Sequence, residues 1–435
     1  MSKEAKDAGD SDSNTAVQLG FSIALEDDEH RSLIAHKSPQ WQAWDGGQIG
    51  GRPSWLQPKD IPLSGMQCAV CSKTLVFVCQ IYAPVDEVTP EAFHRSLYLF
   101  ACASKECANK PEGTVKVLRA QLPEENPYYP SQPEEEVNWT KHTPSSWDVN
   151  LCAVCGQRGK GFCSLQQKHF CGKQHQIECK NCNPQSTGDG KAFFPSVYTE
   201  SELVVEEEPS PKESKTALES RGIFTNDGND EDADLEQEDL NAITGAITSE
   251  ASRDPTTIEF YARTKGLPNV QDQCLRYMRW PSEESASRAN MPLWMTSDHQ
   301  PPKEMIPHCN YCGTDRSFEF QIMPQMIHFL MQDHAKRILE KGGAQNERVK
   351  DAISQASSIL EQAPAEQVPP ELEDAKEKAV EAMRSKLMDD KDGLNWGVVS
   401  VYTCTASCGS GLSVEEGQEL GAYREEYAWK QPSLD

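Results

Sequence analysis

The sequence predicts an α+β fold that is mainly β, built from two zinc-braced halves that repeat one another, with a zinc finger inserted between them and a helical insertion in the second half. Three observations lead there. Cys68 to Tyr82 (C-A-V-C-S-K-T-L-V-F-V-C-Q-I-Y) returns without a gap as Cys309 to Met323 (C-N-Y-C-G-T-D-R-S-F-E-F-Q-I-M), placing Cys71 on Cys312, Phe77 on Phe318 and Gln80 on Gln321. A Pro-x-Trp step precedes each copy (Pro53 and Trp55; Pro292 and Trp294), and an apolar run closing in two cysteines follows each (Cys102 and Cys107; Cys404 and Cys408). After each knuckle the apolar positions alternate, Phe77, Cys79, Ile81 and Phe318, Phe320, Ile322, which is the period of a strand with one buried face.

Two cysteines separated by two residues set both thiolates on one side of a tight turn, and a second pair from a distant strand completes a tetrahedral zinc site. The repeat therefore predicts one site from Cys68, Cys71, Cys102 and Cys107 and another from Cys309, Cys312, Cys404 and Cys408. Cys79 aligns with a phenylalanine and is read as core.

Composition sets the limits. Hydrophobic residues make up 37% of the 435, and mean hydropathy is −0.65, so a good part of the chain is expected to be solvated. The net charge of −26 argues against direct binding to nucleic acid or an anionic membrane and favours basic partners. The first residues are polar and no stretch approaches the ~20 apolar residues of a membrane span, so an intracellular protein is expected. In a reducing compartment sixteen cysteines read as metal ligands, not disulfides.

Taken in order, residues 1–15 read as a disordered tail and 16–120 as the first zinc-bound half. The glycine pairs of Trp44-Asp-Gly-Gly-Gln-Ile-Gly-Gly-Arg-Pro-Ser-Trp55 predict tight turns, with the tryptophans pinning the loop to the sheet. A phosphate-cradling loop fits poorly, since no Gly-Lys-Ser/Thr ending and no helical pattern follow. Past Cys71 the pattern is a strand, a proline turn (Pro84, Pro90), a short helix near Glu91 to Arg95, a second strand and the closing cysteines. Residues 121–150 read as a proline-rich connector.

Residues 151–183 hold eight candidate ligands, Cys152, Cys155, Cys163, His169, Cys171, His175, Cys179 and Cys182. Their order resembles the MYND-type finger, in which two zincs share a short hairpin. The first site carries over as Cys152, Cys155, Cys171 and His175. The second departs from the pattern, with Gln166 at a ligand position, and leaves open a fourth zinc held by Cys163, Cys179 and Cys182 with His169. Residues 184–205 read as a strand returning to the body, and 206–252 as a disordered acidic linker. From 200 to 240 there are fifteen Asp/Glu against three Lys/Arg, a local charge of −12. The second half spans 253–435, with a short helix from Thr256 to Gly266. Helical periods at Pro324 to Glu340, Asn346 to Gln362 and Glu371 to Met388 place the insertion at about 340–390, before strand resumes at Leu394 to Thr403.

Assembled, these pieces resemble the programmed cell death protein 2 family, including its yeast relative, twenty-S-rRNA accumulation protein four. The resemblance rests on Gln18-Leu-Gly-Phe21, Trp44 to Trp55, Gln80-Ile-Tyr-Ala-Pro84, Phe93-His-Arg-Ser-Leu-Tyr98, Phe318 to Gln325, Asn395-Trp-Gly397 and Tyr427-Ala-Trp-Lys-Gln431. It implies a ribosome-biogenesis factor, cytoplasmic and also nuclear, acting as dedicated chaperone of the nascent small-subunit ribosomal protein S-two and so supporting 40S assembly. The acidic charge makes that client's basic N-terminal extension the expected segment of capture, and the chain is expected to be a monomer outside the client complex.

A zinc hydrolase needs an open metal position with a bound water, whereas the three complete ligand sets predicted here are closed. The protein is accordingly expected to be non-enzymatic. The competing reading is a MYND-type adaptor that binds proline-rich peptides in transcriptional or apoptotic regulation. For the client, a groove or an exposed sheet edge could serve, strand addition to the edge being one mode of capture, and the two halves are expected to pack as a pseudo-twofold pair.

Overall fold

Runs rich in valine, isoleucine, leucine and aromatics, each bounded by turn residues, form ten strands. They are β1 (Gln18–Ala24), β2 (Gly47–Ile49), β3 (Val76–Tyr82), β4 (His94–Ala101), β5 (Val115–Leu122), β8 (Ser201–Glu207), β9 (Gln273–Tyr277), β10 (Arg316–Ile322), β11 (Val398–Cys404) and β12 (Arg424–Gln431). Two more, β6 (Gly161–Cys163) and β7 (Lys168–Phe170), make a separate hairpin. Among the described residues the helices include α1 (Lys173–Asn181), α2 (Pro255–Lys265) and α3 (Glu283–Ala289). The computed structural model describes residues 16–24, 47–62, 64–128, 149–181, 194, 196–209, 254–265, 272–289, 291–331, 393–409 and 422–433.

The ten strands close into one antiparallel barrel in the order β1-β8-β2-β3-β4-β5-β12-β11-β10-β9 and back to β1. This refines the expected packing of two halves, because the N-terminal and C-terminal segments share a single sheet. β5 meets β12 at one junction, and β1 lies between β8 and β9 at the other. Closure pairs strand edges that would otherwise stay open. Among the described residues the barrel offers no free edge, which removes strand addition to it as a way of holding a partner.

One apolar cluster draws on β2, β3, β4, β5, β8, β9, β10 and β11, as the interior of a closed barrel must; it includes Ile49, Cys79, Leu99, Val117, Leu203, Leu275, Phe320 and Val401. Smaller clusters cover the outside: Trp55, Phe77, Tyr98 and Phe100 on one stretch of wall, Val17, Phe318 and Tyr402 on another. Cys79 is fully buried in the interior cluster and outside the cysteine quartets.

Phe77 and Cys79 do not share a face, contrary to the simple alternation. A bulge between them shifts the register, sending Phe77 outside and Cys79 inside, and a second bulge does the same between Phe318 and Phe320. The two places correspond in the sequence repeat. Other features correspond as well. Phe77 pairs with Phe100 (ring centroids 5.5 Å apart) and Phe318 with Tyr402 (6.0 Å). Ser54 N donates to Gln80 Oε1 at 3.0 Å, and Leu293 N donates to Gln321 Oε1 at 2.7 Å, so each Pro-x-Trp step is tied to the glutamine that follows its own knuckle.

Several expectations shift on contact with the structure. The helix near Glu91 to Arg95 is a single 3-10 turn at Pro90–Ala92, and Arg95 is in β4 because that strand pairs with β5 over its whole length, from His94 opposite Leu122. Strand β8 runs on through Glu206 and Glu207, residues read as linker, because it pairs with β1 as far as Gln18. The helix expected from Thr256 is α2, capped by Asp254, whose carboxylate accepts from Thr256 N at 2.9 Å. Residues 325–331 are helical; the other expected helices of the insertion, the remainder of the acidic run, Trp44 and Cys182 lie outside the described residues. No helix among the described residues is long and apolar enough to cross a membrane.

Candidate metal centres

Three four-ligand groups come together: Cys68, Cys71, Cys102 and Cys107; Cys152, Cys155, Cys171 and His175; Cys309, Cys312, Cys404 and Cys408. Within each, the ligand atoms all lie within 4.8 Å of one another. Within the quartets Cys71 and Cys102 Sγ are 3.5 Å apart, Cys171 Sγ lies 3.1 Å from His175 Nδ1, and the Cys309–Cys408 and Cys312–Cys404 sulfurs are each 3.5 Å apart. Four Zn–S bonds of ~2.3 Å arranged tetrahedrally require sulfurs just under 4 Å apart, so the clusters have the size the metal needs.

All three knuckles are built alike. In each, the residue four places after the first cysteine is in the left-handed region (Ser72, φ 60°; Gly156, φ 70°; Gly313, φ 75°), and its N–H donates to that cysteine's carbonyl at 2.8–3.0 Å. The first cysteine's own N–H then donates to the residue five places on, at 2.7–2.8 Å, closing the turn. The second ligand pair comes from the end of β4 and the 3-10 turn Lys105–Cys107 in the first group, and from the end of β11 and the turn after it in the third. In the second group, Cys171 follows β7 and His175 lies in the first turn of α1.

The electrostatics suit a divalent cation. In each group one thiol is drawn down while a neighbour is pushed up. Hydrogen bonding from Cys408 brings Cys404 to about 4 as Cys408 itself rises, and hydrogen bonds from Cys155 and Cys171 depress Cys152 while burial raises Cys155. Cys107 is pushed up to about 11 by burial. On His175 burial acts downward, but the Cys152 and Cys171 sulfurs outweigh it and lift the imidazole to about 10. Crowded thiols without a cation cannot all ionise, and a bound dication removes that conflict. Lys430 adds a second indication. It is 3% exposed, makes no ion pair with a carboxylate among the described residues, and burial lowers it to about 8 while the first group's sulfurs pull the other way. A metal with four thiolates carries net negative charge, the counterpart that a buried ammonium lacks.

Of the remaining candidates in 151–183, Cys163, His169 and Cys179 form no group of three ligands among the described residues, and Cys182 lies outside them. Cys163 ends β6 and, like Cys179, packs against the cluster of Cys152 and Phe170. His169 on β7 stands beside the Phe162 ring, centroids 4.9 Å apart.

Sequence reasoning passed over the groups that hold these loops from outside. Arg52 Nε donates to Val154 O at 2.7 Å and Trp55 Nε1 to Gly156 O at 2.8 Å, fixing the finger to the loop before β3. Trp55 also stacks on Phe100 of β4 at 5.9 Å, which pins its end of the loop to the sheet. Gly50, at φ 64°, lies against Thr199, whose carbonyl a Cβ would meet at 1.9 Å. The available signal was that Arg52, Trp55 and Lys430 all fall inside motifs singled out in the sequence.

Comparison with known proteins matches two sequence models to the chain: "Programmed cell death protein 2, N-terminal domain" over residues 16–136, and "Programmed cell death protein 2, C-terminal putative domain" over residues 257–432. Residues 151–183 lie between the two matches. The chain is similar to programmed cell death protein 2 of Mus musculus (27% identical, covering 96% of this chain and 97% of the relative) and of Bos taurus (26%, covering 89% and 91%). It is also similar to the human programmed cell death protein 2-like protein, at 25% identity over 69% of this chain and 83% of the relative. No solved structure matches the chain at a significant level.

Proposed function

The chain belongs to the programmed cell death protein 2 family, and from that premise we propose that it is a non-enzymatic, zinc-braced chaperone of ribosome biogenesis. Its client in this reading is the nascent small-subunit ribosomal protein S-two, held by the basic N-terminal extension in the cytoplasm, with passage to the nucleus during 40S assembly. The observation that carries the reading is charge. A chain at −26 includes an acidic run flanked on both sides by residues that contact the helix α2. Glu208, at its start, pairs with Arg263 at 2.6 Å on α2, and Asp254, at its end, caps that same helix. A ribosomal protein without its RNA exposes cationic segments, and an anionic surface speeds their capture and screens them.

In this reading each of the three groups holds one zinc, with a fourth left to Cys163, Cys179, Cys182 and His169. The segment from Cys152 to His175 is a MYND-like finger, and the barrel arose from duplication of a knuckle–strand unit. Matched bulges, matched Gln80 and Gln321 contacts and a strand order that reads alike outward from the β5–β12 junction support the duplication. When bound, zinc supplies structural cross-linking of the four-ligand loops. The ligand residues fix the loops, and sets already complete with Cys and His leave no open coordination position, which favours a structural over a hydrolytic role.

The adaptor reading retains one observation in its favour: Phe162, Leu165 and Ile177 are 54%, 95% and 45% exposed on the finger. Capture from cell extract followed by mass spectrometry separates the two. Ribosomal protein S-two recovered with the full chain supports the chaperone; proline-rich corepressors recovered without it support the adaptor.

A further inference from the structure

Each cysteine group is gripped by a cation from a different part of the chain. Around the first group, Lys430 of β12 reaches over from the C-terminal segment, and its Nζ donates to Cys107 O and Ala108 O, both at 2.8 Å. Around the third group the direction reverses. Arg119 of β5, in the N-terminal segment, donates from Nη2 to Cys408 O at 2.9 Å, while Gln121 Nε2 donates to Ser407 O and Gly409 O at 2.9 and 2.8 Å. At the finger, Arg52 donates to Val154 O at 2.7 Å and to Ala153 O at 3.0 Å, the two carbonyls between the knuckle cysteines.

The first two grips cross at the same seam. β5 and β12 are joined by three residue pairs, from Arg119 opposite Arg424 to Val117 opposite Glu426, so side chains carry much of the closure there. Charge follows the same pattern. Lys430 makes no ion pair with a carboxylate among the described residues, and Arg119 shares Glu426 with Arg316, at 2.7 and 3.0 Å, leaving one positive charge in excess beside each four-cysteine group. A dication with four thiolates leaves a net charge of −2, which each excess cation offsets. Glu426 also accepts from Cys404 N at 3.2 Å, which ties the seam to a ligand backbone.

We propose that Lys430, Arg119 and Arg52 are positioning residues, each of which locks one metal site from another segment by holding the backbone of its ligand loop. This builds on the assignment of the three groups as zinc sites and is independent of the client.

The test uses the zinc-loaded full chain. A pulse of EDTA is followed by alkylation and peptide mapping, which reports metal loss site by site as cysteine labelling. Lys430→Met is expected to speed labelling of Cys68, Cys71, Cys102 and Cys107 by about 10–100-fold, the range for loss of an outer partner of a metal ligand, with little change at Cys309, Cys312, Cys404 and Cys408. Arg119→Met is expected to do the reverse, and Lys430→Arg to restore slow labelling. Equal acceleration at both groups, or acceleration confined to the half that carries the substitution, overturns the proposal. If the barrel variants do not fold, Arg52→Met decides the matter away from the seam: faster labelling of Cys152, Cys155 and Cys171 supports the proposal, and an unchanged rate overturns it. Protein that binds no zinc before the pulse would refute the metal assignment itself, a result distinct from either.

Discussion

Arg95 of β4 and Glu319 of β10, 224 residues apart in sequence, meet as a two-point ion pair at 2.6 and 2.8 Å with both side chains at 0% exposure. Tyr277 Oη donates to the same carboxylate at 3.0 Å, and Thr403 Oγ1 donates to it as well. Burial alone would raise the Glu319 carboxyl, but Arg95 outweighs it and holds the group ionised, below the usual carboxylate range. Glu319→Gln strands the guanidinium and is expected to cost about 3–5 kcal/mol in urea unfolding, whereas an apolar pair such as Arg95→Met with Glu319→Leu should recover much of that. A Glu319→Gln protein of unchanged stability would contradict the account.

This pair also marks where the sequence stopped being readable. The knuckles, the strands after them and the three ligand groups could be traced because spacing and repetition are local. Arg95 and Glu319 carry no such mark: their counterparts in the repeat are Gly397 and Val78, so nothing in one half announces the other. The bulges that separate Phe77 from Cys79 were hidden because nearly the whole of β3 is buried on both sides, where alternation carries little information. Closure into one barrel was equally hidden, since it depends on β1 pairing with both β8 and β9.

Metal removal should act on the knuckles first. Three zinc ions per chain are expected by elemental analysis of fresh, reduced protein, with a fourth only if Cys163 and Cys182 take part. Cys309→Ala should lower the zinc content by one and destabilise the turn that Gly313 closes, because thiolate ligation contributes folding energy outright. Two or fewer zincs in the unsubstituted protein would refute the assignment.

Interlocking of the two segments gives a mechanical prediction. Since β1 lies between β8 and β9, and β12 pairs with β5, cutting the chain once between residues 210 and 253 leaves every strand pairing of the described residues intact. A site-specific protease site placed there should yield two fragments that run together on native gel filtration and separate only in denaturant. Fragments that part under native conditions would show that the junctions are weaker than their pairing implies.

Glu208 anchors the start of the acidic run and should respond to acid. Burial raises its carboxyl, but Arg276 and Arg263 outweigh that and leave it lowered from 4.5. A carboxylate with a depressed folded value contributes stability that is fully present above its unfolded value and is lost as pH falls through the folded one. The stability difference between the unsubstituted protein and Glu208→Gln should therefore be constant at neutral pH and shrink below about pH 4.5. Arg276 is fully buried beside Glu208 at 2.9 Å, so the neutral-pH loss should be sizeable, on the order of 2–4 kcal/mol. A difference that stays flat into acid would remove Glu208 from the ion pair.

The acidic run itself is expected to govern how fast a client is caught, not whether it can be held. Deleting residues 210–250 leaves Glu208, Asp254 and every described strand in place, so thermal stability should change little. Exposed charge acts over roughly 8–10 Å at physiological salt, and steering of this kind enters the association rate. Binding to the basic N-terminal extension of S-two should therefore lose on-rate at low salt, with a shallower salt dependence and a smaller change in dissociation. Disrupting Cys68 or Cys309 should instead abolish binding, because those knuckles shape the barrel surface that remains once the run is gone. Stopped-flow association across a salt series measures both effects, and a deletion that leaves the salt slope unchanged would take the acidic run out of client capture.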